Sequence, residues 1–270
     1  MPELPEVETT RLGITPWVLQ KIIIDVKIRE SRLRWPIPQN IKDKLLNREI
    51  FSVKRRAKYL LLETNNGSAI IHLGMSGSLR IIKNSEPASK HDHFDIVFSD
   101  GLALRFRDPR RFGSFLWSKN PLSHSLLNKL GPEPLESTFT GTYLWETARK
   151  RKVTIKQFIM NAQIVVGVGN IYASESLFMA GINPRRQAGR ISKIRMEELV
   201  ISIKKILKQA INAGGTTLRD FHNSDGGDGY FKTKLSVYDR KCKPCLSCAA
   251  PISMVVIGQR STFYCKNCQT

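Results

Sequence analysis

Gly131-Pro132-Glu133-Pro134 divides this chain of 270 residues into two unlike halves. Two prolines separated by one residue suit neither a helix interior nor a central strand, so the stretch reads as a connector. Before it the pattern is mostly that of strands. Residues 19–30 are rich in Ile and Val. Apolar runs at 58–64 and 68–74 are joined by Asn65-Asn66-Gly67, and runs at 93–98 and 102–107 flank Asp100-Gly101, both of them hairpin signals. Pro5 through Leu12 is the exception and reads as a helix, with Pro5 tolerated in its first turn. After the connector the period changes. Met196, Leu199, Val200, Ile203, Ile206, Leu207, Ala210 and Ile211 form one apolar stripe within 192–213, closed by Gly214-Gly215. Residues 223–229 form a flexible loop by composition, and a cysteine-rich tail ends the chain.

Charge narrows the partner. Lys and Arg number 43 against 23 Asp and Glu, a net charge of +20. Such an excess favours polyanions, nucleic acid above all, through phosphate contact and counterion release. Anionic lipid is the weaker alternative, because the cations are dispersed and no cationic helix with a bulky apolar face stands out. No apolar run reaches the roughly eighteen residues of a membrane span. The acidic, proline-broken start is unlike a secretory signal, so the cytoplasm is the expected compartment.

Four cysteines form Cys245-x2-Cys248-x16-Cys265-x2-Cys268. Two thiolate pairs so spaced suit a tetrahedral zinc ion, and a reducing compartment disfavours disulfides. With no neighbouring His and no obvious open position, the expected role is structural. Cys242 is left over as a bystander thiol. Between the pairs, 254–263 reads as a hairpin carrying Gly258-Gln259-Arg260. An Arg at such a tip suits phosphate contact, although a merely solvated Arg fits equally well.

Pro2 follows the initiator methionine, whose removal leaves a secondary amine at the chain terminus. An α-amino group titrates near ~8, so part of it is nucleophilic at neutral pH. Attack at a sugar C1′ then expels a base and forms an iminium. Glu3 and Glu6 lie three apart, on one side of the expected helix, where one of them can shuttle a proton. Read alone, the same residues are an ordinary acidic helix start.

Several blocks in order change that balance: Met1-Pro-Glu-Leu-Pro-Glu-Val-Glu8, Arg55-Arg-Ala-Lys-Tyr-Leu60, His72-Leu-Gly-Met-Ser-Gly-Ser78, Asp108-Pro-Arg-Arg-Phe-Gly113, Gly167-Val-Gly-Asn-Ile-Tyr-Ala-Ser-Glu175 and the zinc tail. Over essentially the whole chain the sequence resembles the formamidopyrimidine-DNA glycosylases, bacterial repair enzymes for 8-oxoguanine. The resemblance implies an α+β multidomain fold. Its parts are an N-terminal β-sandwich with an N-terminal helix (1–130), a linker (131–150), a helix–two-turn–helix domain with a lesion lid (151–235) and a zinc finger (236–270). It implies excision of oxidised purines, then β,δ-elimination at the abasic site through a Schiff base. It also implies one structural zinc ion held by Cys245, Cys248, Cys265 and Cys268, no organic cofactor, and a monomer acting on damaged double-stranded DNA in a basic cleft.

Residue roles follow from the same resemblance. Pro2 matches the Schiff-base nucleophile and Glu3 the acid that protonates the sugar. Lys58 matches a basic residue linked to β-elimination and phosphate binding. Arg260 matches a phosphate-gripping arginine often assigned to the second elimination, but a guanidinium is a poor proton donor and phosphate binding suits it better. Met75, Arg110 and Phe112 match the trio that fills the hole left by an extruded base. Asn170, at an expected helix start, matches a phosphate ligand, although an ordinary N-cap has the same geometry. His91 and, within Arg149-Lys150-Arg151-Lys152, Arg151 match DNA contacts. The loop at 223–229 matches the lid. Cys242 stands where the family more usually has glycine. The rival readings are an endonuclease VIII-like glycosylase for oxidised pyrimidines and a non-enzymatic zinc-finger DNA binder. Leu4 and the Met75–Arg110–Phe112 set favour the purine branch over the first, and the pairing of Pro2 with Glu3 argues against the second.

Overall fold

Short strands with largely buried centres build the first half. A computed structural model describes residues 2–215 and 235–270. They fall into two compact units, residues 2–128 with 213–215 and residues 129–212 with 235–270.

The first unit opens with α1 (Leu4–Val18) and continues through β1 (Ile23–Ile28), α2 (Ile41–Leu45), β2 (Ser52–Arg56), β3 (Tyr59–Thr64) and β4 (Gly67–His72). It ends with β5 (Ser78–Lys83), β6 (Asp92–Phe98), β7 (Leu102–Arg107) and β8 (Ser114–Ser118). Two four-stranded antiparallel sheets result, in the orders β1-β6-β7-β5 and β2-β3-β4-β8. Both expected hairpins form, β3 to β4 and β6 to β7. Gly67, with φ +146°, occupies a conformation that L side chains rarely adopt. One apolar core holds residues of both sheets. Phe94 of β6 stacks on Phe106 of its own sheet at 4.9 Å and on Phe115 of the opposite sheet at 4.1 Å. The architecture is a β-sandwich.

Helix α1 runs past Leu12 to Val18. Val7, Thr10, Ile14 and Val18 continue one buried face, and Pro16, which has no N–H to return to the carbonyl of Leu12, falls in the last turn, close to where the helix ends. At its start Glu3 and Glu6 close a capping box, the Glu6 carboxylate accepting the Glu3 N–H at 2.8 Å. One turn on, Glu8 ties the helix to the sheet. It accepts from Arg11 at 2.7 Å and from Arg55 of β2 at 2.8 Å, and Arg55 also donates to the Ala57 carbonyl at 3.0 Å.

The second unit holds α3 (Gly141–Ala148), α4 (Ile155–Met160), α5 (Asn170–Met179), α6 (Lys193–Asn212) and the hairpin β9 (Ser253–Ile257) with β10 (Arg260–Tyr264). Within 131–150, read from sequence as a linker, regular structure begins at Gly141. Thr140 caps α3 by accepting the Tyr143 N–H at 3.1 Å. A Cβ on Gly141 would lie 2.5 Å from Cα of Glu197, so glycine allows α3 to rest on α6. The stripe of α6 is buried from Met196 to Ala210, with Ile211 partly exposed. Among the described residues no helix is long and apolar enough to cross a membrane.

The Glu8 anchor has a pH signature. Burial pushes its carboxyl up, but the Arg11 and Arg55 hydrogen bonds and charges outweigh this and hold it below the usual 4.5. A carboxyl lowered by folding stabilises the fold fully above its unfolded pKa. That contribution is lost as pH falls through the folded value. Urea denaturation across a pH series is therefore expected to show stability falling below about pH 4.5. Glu8→Gln is expected to lower stability at neutral pH and to flatten that decline; a variant with the wild-type slope would contradict the anchor.

Candidate functional site

In the first unit the sequence-selected residues lie at the start of α1 and on four turns or loops. Pro2 is buried directly ahead of α1, and Glu3, only 4% exposed, is its N-cap residue. Lys58 sits with Ala57 in the two-residue turn between β2 and β3, where Ala57 takes a φ of +55°. The Ala57 carbonyl is the one held by Arg55, so the Glu8–Arg55 pair connects the second turn of α1 to the lysine turn.

Met75, Arg110 and Phe112 come from two loops that lie against each other. Asp108 is fully buried. Its Oδ1 accepts from the Ser76 hydroxyl at 2.6 Å and the Arg110 N–H at 3.2 Å, and its Oδ2 accepts the Gly113 N–H at 2.8 Å. One carboxylate thereby fixes both loops and leaves Met75 half-buried and Phe112 43% exposed. The exposed Arg110 guanidinium lies 4.9 Å from the Phe112 ring centroid, a cation–π pair. A Cβ on Gly74, at φ +66°, would lie 2.4 Å from the Phe112 carbonyl carbon, so the two backbones touch. In Lys90-His91-Asp92-His93, His91 keeps partial access. His93 is buried, and its ring Nε2–H donates to the Asp108 carbonyl at 2.6 Å.

The second unit carries Arg151, Asn170 and Arg260. Arg149-Lys150-Arg151-Lys152 is exposed throughout, and Lys150 takes a left-handed φ of +63°. Asn170 is the first residue of α5, but Gly169 is its cap, so the ordinary N-cap reading is corrected. The Asn170 side chain is engaged elsewhere: Oδ1 accepts from Lys156 Nζ at 2.6 Å, and Nδ2 donates to the Ser261 carbonyl at 3.1 Å. Arg260 opens β10 and is exposed, next to Ser261.

Sequence reading missed the groups that hold these residues. Lys156 is 1% exposed and its Nζ also donates to Thr262 Oγ1 at 2.6 Å and to the Ser261 carbonyl. It joins α4, the head of α5 and the strand that begins at Arg260. The buried Glu175 of α5 accepts N–H bonds from Ser236, Val237 and Tyr238 at 2.8–2.9 Å. Asp108 and Glu175 stand inside the quoted motifs, so their places were marked. Nothing in the sequence distinguishes Lys156 from a solvated lysine. The lid residues 223–229 lie outside the described residues.

Cys245, Cys248, Cys265 and Cys268 bring their Sγ atoms within 4.8 Å of one another, with two pairs at 3.9 and 3.5 Å. Zn–S bonds of about 2.3 Å demand tetrahedron edges of roughly 3.8 Å, so the four thiolates fit one zinc ion. Cys242 is exposed and stands outside the group.

A β-sandwich led by a capped helix, a helical unit and a four-cysteine hairpin define a three-part class of protein. Family models give that class its name: the formamidopyrimidine-DNA glycosylase N-terminal domain matches residues 1–115 and its H2TH domain residues 130–222. The zinc finger found in FPG and IleRS matches residues 243–270. The formamidopyrimidine-DNA glycosylase of Nitrosococcus oceani is 54% identical over 270 residues, all of both chains. That of Aliivibrio fischeri is 53% identical over 269 residues, 100% of this chain and 98% of its own. The MutM (Fpg) crystal structure from Thermus thermophilus superimposes with a TM-score of 0.89 at 33% identity, covering 99% of this chain and 98% of its own. Lactococcus lactis Fpg in complex with abasic-site DNA gives 0.91 at 30%, covering 99% of each. The chain belongs to the formamidopyrimidine-DNA glycosylase family.

Metal analysis is expected to find one zinc per chain, and Cys268→Ser to weaken DNA binding before it alters chemistry. Full activity after complete chelation would contradict a structural ion. Lys156→Met keeps the bulk and removes the donors. Loss of its bonds is expected to cost about 1–3 kcal/mol of stability, read as a fall in the denaturation midpoint. A midpoint at the wild-type value would show that Asn170 and β10 hold themselves.

Proposed function

We propose that this chain removes oxidised purines from DNA by base excision and then cleaves the abasic strand. The observation that carries the reading is the buried, capped end of α1. Pro2 and Glu3 stand there together, braced through Glu8 and Arg55 to the turn that bears Lys58. The substrate is damaged double-stranded DNA, taken by a monomer. Lactococcus lactis Fpg structures hold DNA containing Fapy-dG or an abasic site, and a MutM structure holds carbocyclic 8-oxo-G DNA. Fapy-dG and 8-oxo-G are purine lesions. The site of action is the nucleoid DNA of the cytoplasm.

Chemistry starts at the Pro2 nitrogen once Met1 is gone. Its lone pair attacks C1′ of an extruded nucleotide, the glycosidic bond breaks, and the base leaves with its electron pair and takes up the proton that the nitrogen sheds. Glu3 delivers a proton to the sugar ring oxygen, which opens the ring and leaves an iminium between Pro2 and C1′. Loss of a C2′ proton then expels the 3′ phosphate, a step to which we assign Lys58 for proton transfer and phosphate contact. A second elimination releases the 5′ phosphate, held by Arg260 and Asn170. His91 and Arg151 add backbone contacts. Extrusion costs a few kcal/mol of unstacking; Met75 fills the gap, Arg110 meets the orphaned base and Phe112 wedges the stack. The zinc ion holds the β9–β10 hairpin and takes no part in these steps.

Borohydride reduction should trap wild-type protein on an 8-oxoguanine:cytosine duplex. Pro2→Gly should trap about a hundredfold less, and Glu3→Gln should lose most excision. No adduct from protein whose Met1 has been removed would sink the Schiff-base route. Faster excision from a thymine-glycol duplex would move the chain to the pyrimidine branch.

A further inference from the structure

His72 ends β4, two residues before the Gly74-Met75 turn. Its ring lies against Tyr59, the residue opposite it on β3, at 4.8 Å between centroids. Its Nδ1 is 3.0 Å from the Gly74 N–H. A backbone N–H only donates, so Nδ1 is the acceptor and the ring proton sits on Nε2. This bond spans two residues and bends the chain where Gly74 takes its φ of +66°. On the far side of Met75, the Ser76 hydroxyl is held by Asp108. Met75 is therefore suspended between two side-chain latches, one on each flank.

We propose that His72 is the positioning residue for the Met75 wedge: by accepting the Gly74 N–H it sets the turn that presents the methionine to a duplex. The inference rests on the reading of Met75 as the group that fills the emptied base position. An imidazolium has no acceptor at Nδ1, so the latch requires a neutral ring. Burial supplies that first, and the charges of Lys58 and Arg34 add to it; together they push the His72 pKa down to about 4. The latch is closed across the neutral range.

The test compares His72→Phe, His72→Asn and Met75→Ala in full-length protein. Phenylalanine keeps a ring against Tyr59 and removes the acceptor. Asparagine places Oδ1 close to the position of Nδ1 and restores it. Two rates are read: single-turnover excision of 8-oxoguanine from a duplex, and cleavage at an abasic site in a single strand, which has no stack to open. His72→Phe is expected to slow duplex excision about tenfold, the effect of leaving one buried donor unmet, and His72→Asn to recover to within about threefold of wild type. Single-strand cleavage by both is expected to stay within about twofold of wild type. Thermal melting separates a positioning effect from a folding one, because His72→Phe and His72→Asn are expected to melt alike. Slow excision by Met75→Ala with wild-type excision by His72→Phe overturns the latch alone. Wild-type rates for both overturn the wedge reading as well. His72→Asn as slow as His72→Phe, or an equal loss of single-strand cleavage, also overturns the latch.

Discussion

A carboxylate without solvent, Asp108, carries the most heavily used part of the first unit. Removing a charge from water is costly unless hydrogen bonds replace the lost hydration. Here a hydroxyl and two backbone N–H groups do so, and each belongs to a loop that bears a residue of the candidate site. The peptide carbonyl of the same residue takes the His93 ring and the Arg111 N–H. The loops therefore cannot relax independently. Their exposed tips, Arg110 and Phe112, are held by a residue that never reaches the surface.

The second unit repeats the device with different chemistry. Glu175 satisfies three successive N–H groups of the turn segment 236–238, and Tyr238 of that segment packs edge-on against Phe263 of β10. Lys156 does the converse, giving protons to oxygens of α5 and β10. A buried anion gathers donors and a buried cation gathers acceptors. The exposed cations, with Arg151 and Arg260 among them, are left to the surface, where a net charge of +20 favours a polyanion.

What the sequence made legible follows from how local each signal is. Asn65-Asn66-Gly67 and Asp100-Gly101 announce hairpins because a tight turn requires unusual backbone angles that few residues tolerate. The α6 stripe and the cysteine spacing are likewise local repeats. Helix α3 was hidden behind the prolines at 132 and 134, although the Thr140 cap and the Leu144 and Ala148 spacing mark it. Pro16 masked the last turn of α1. Asn170 at a helix start looked like a cap, yet the cap is Gly169. The buried charges were the hardest to foresee. Lys156 is one of 43 basic residues, and only the fold shows that its amine points away from water.

Backbone contact between Gly74 and Phe112 makes the two loops a single inheritable cassette. A side chain at Gly74, or any shift of the 108–113 loop, collides with the other partner before it touches a nucleotide. Redesign of Met75, Arg110 and Phe112, which are proposed to face an orphaned base, therefore calls for segments 72–78 and 108–113 to be transplanted together. Point substitutions at Met75, Arg110 or Phe112 alter what the cassette touches while leaving its frame intact.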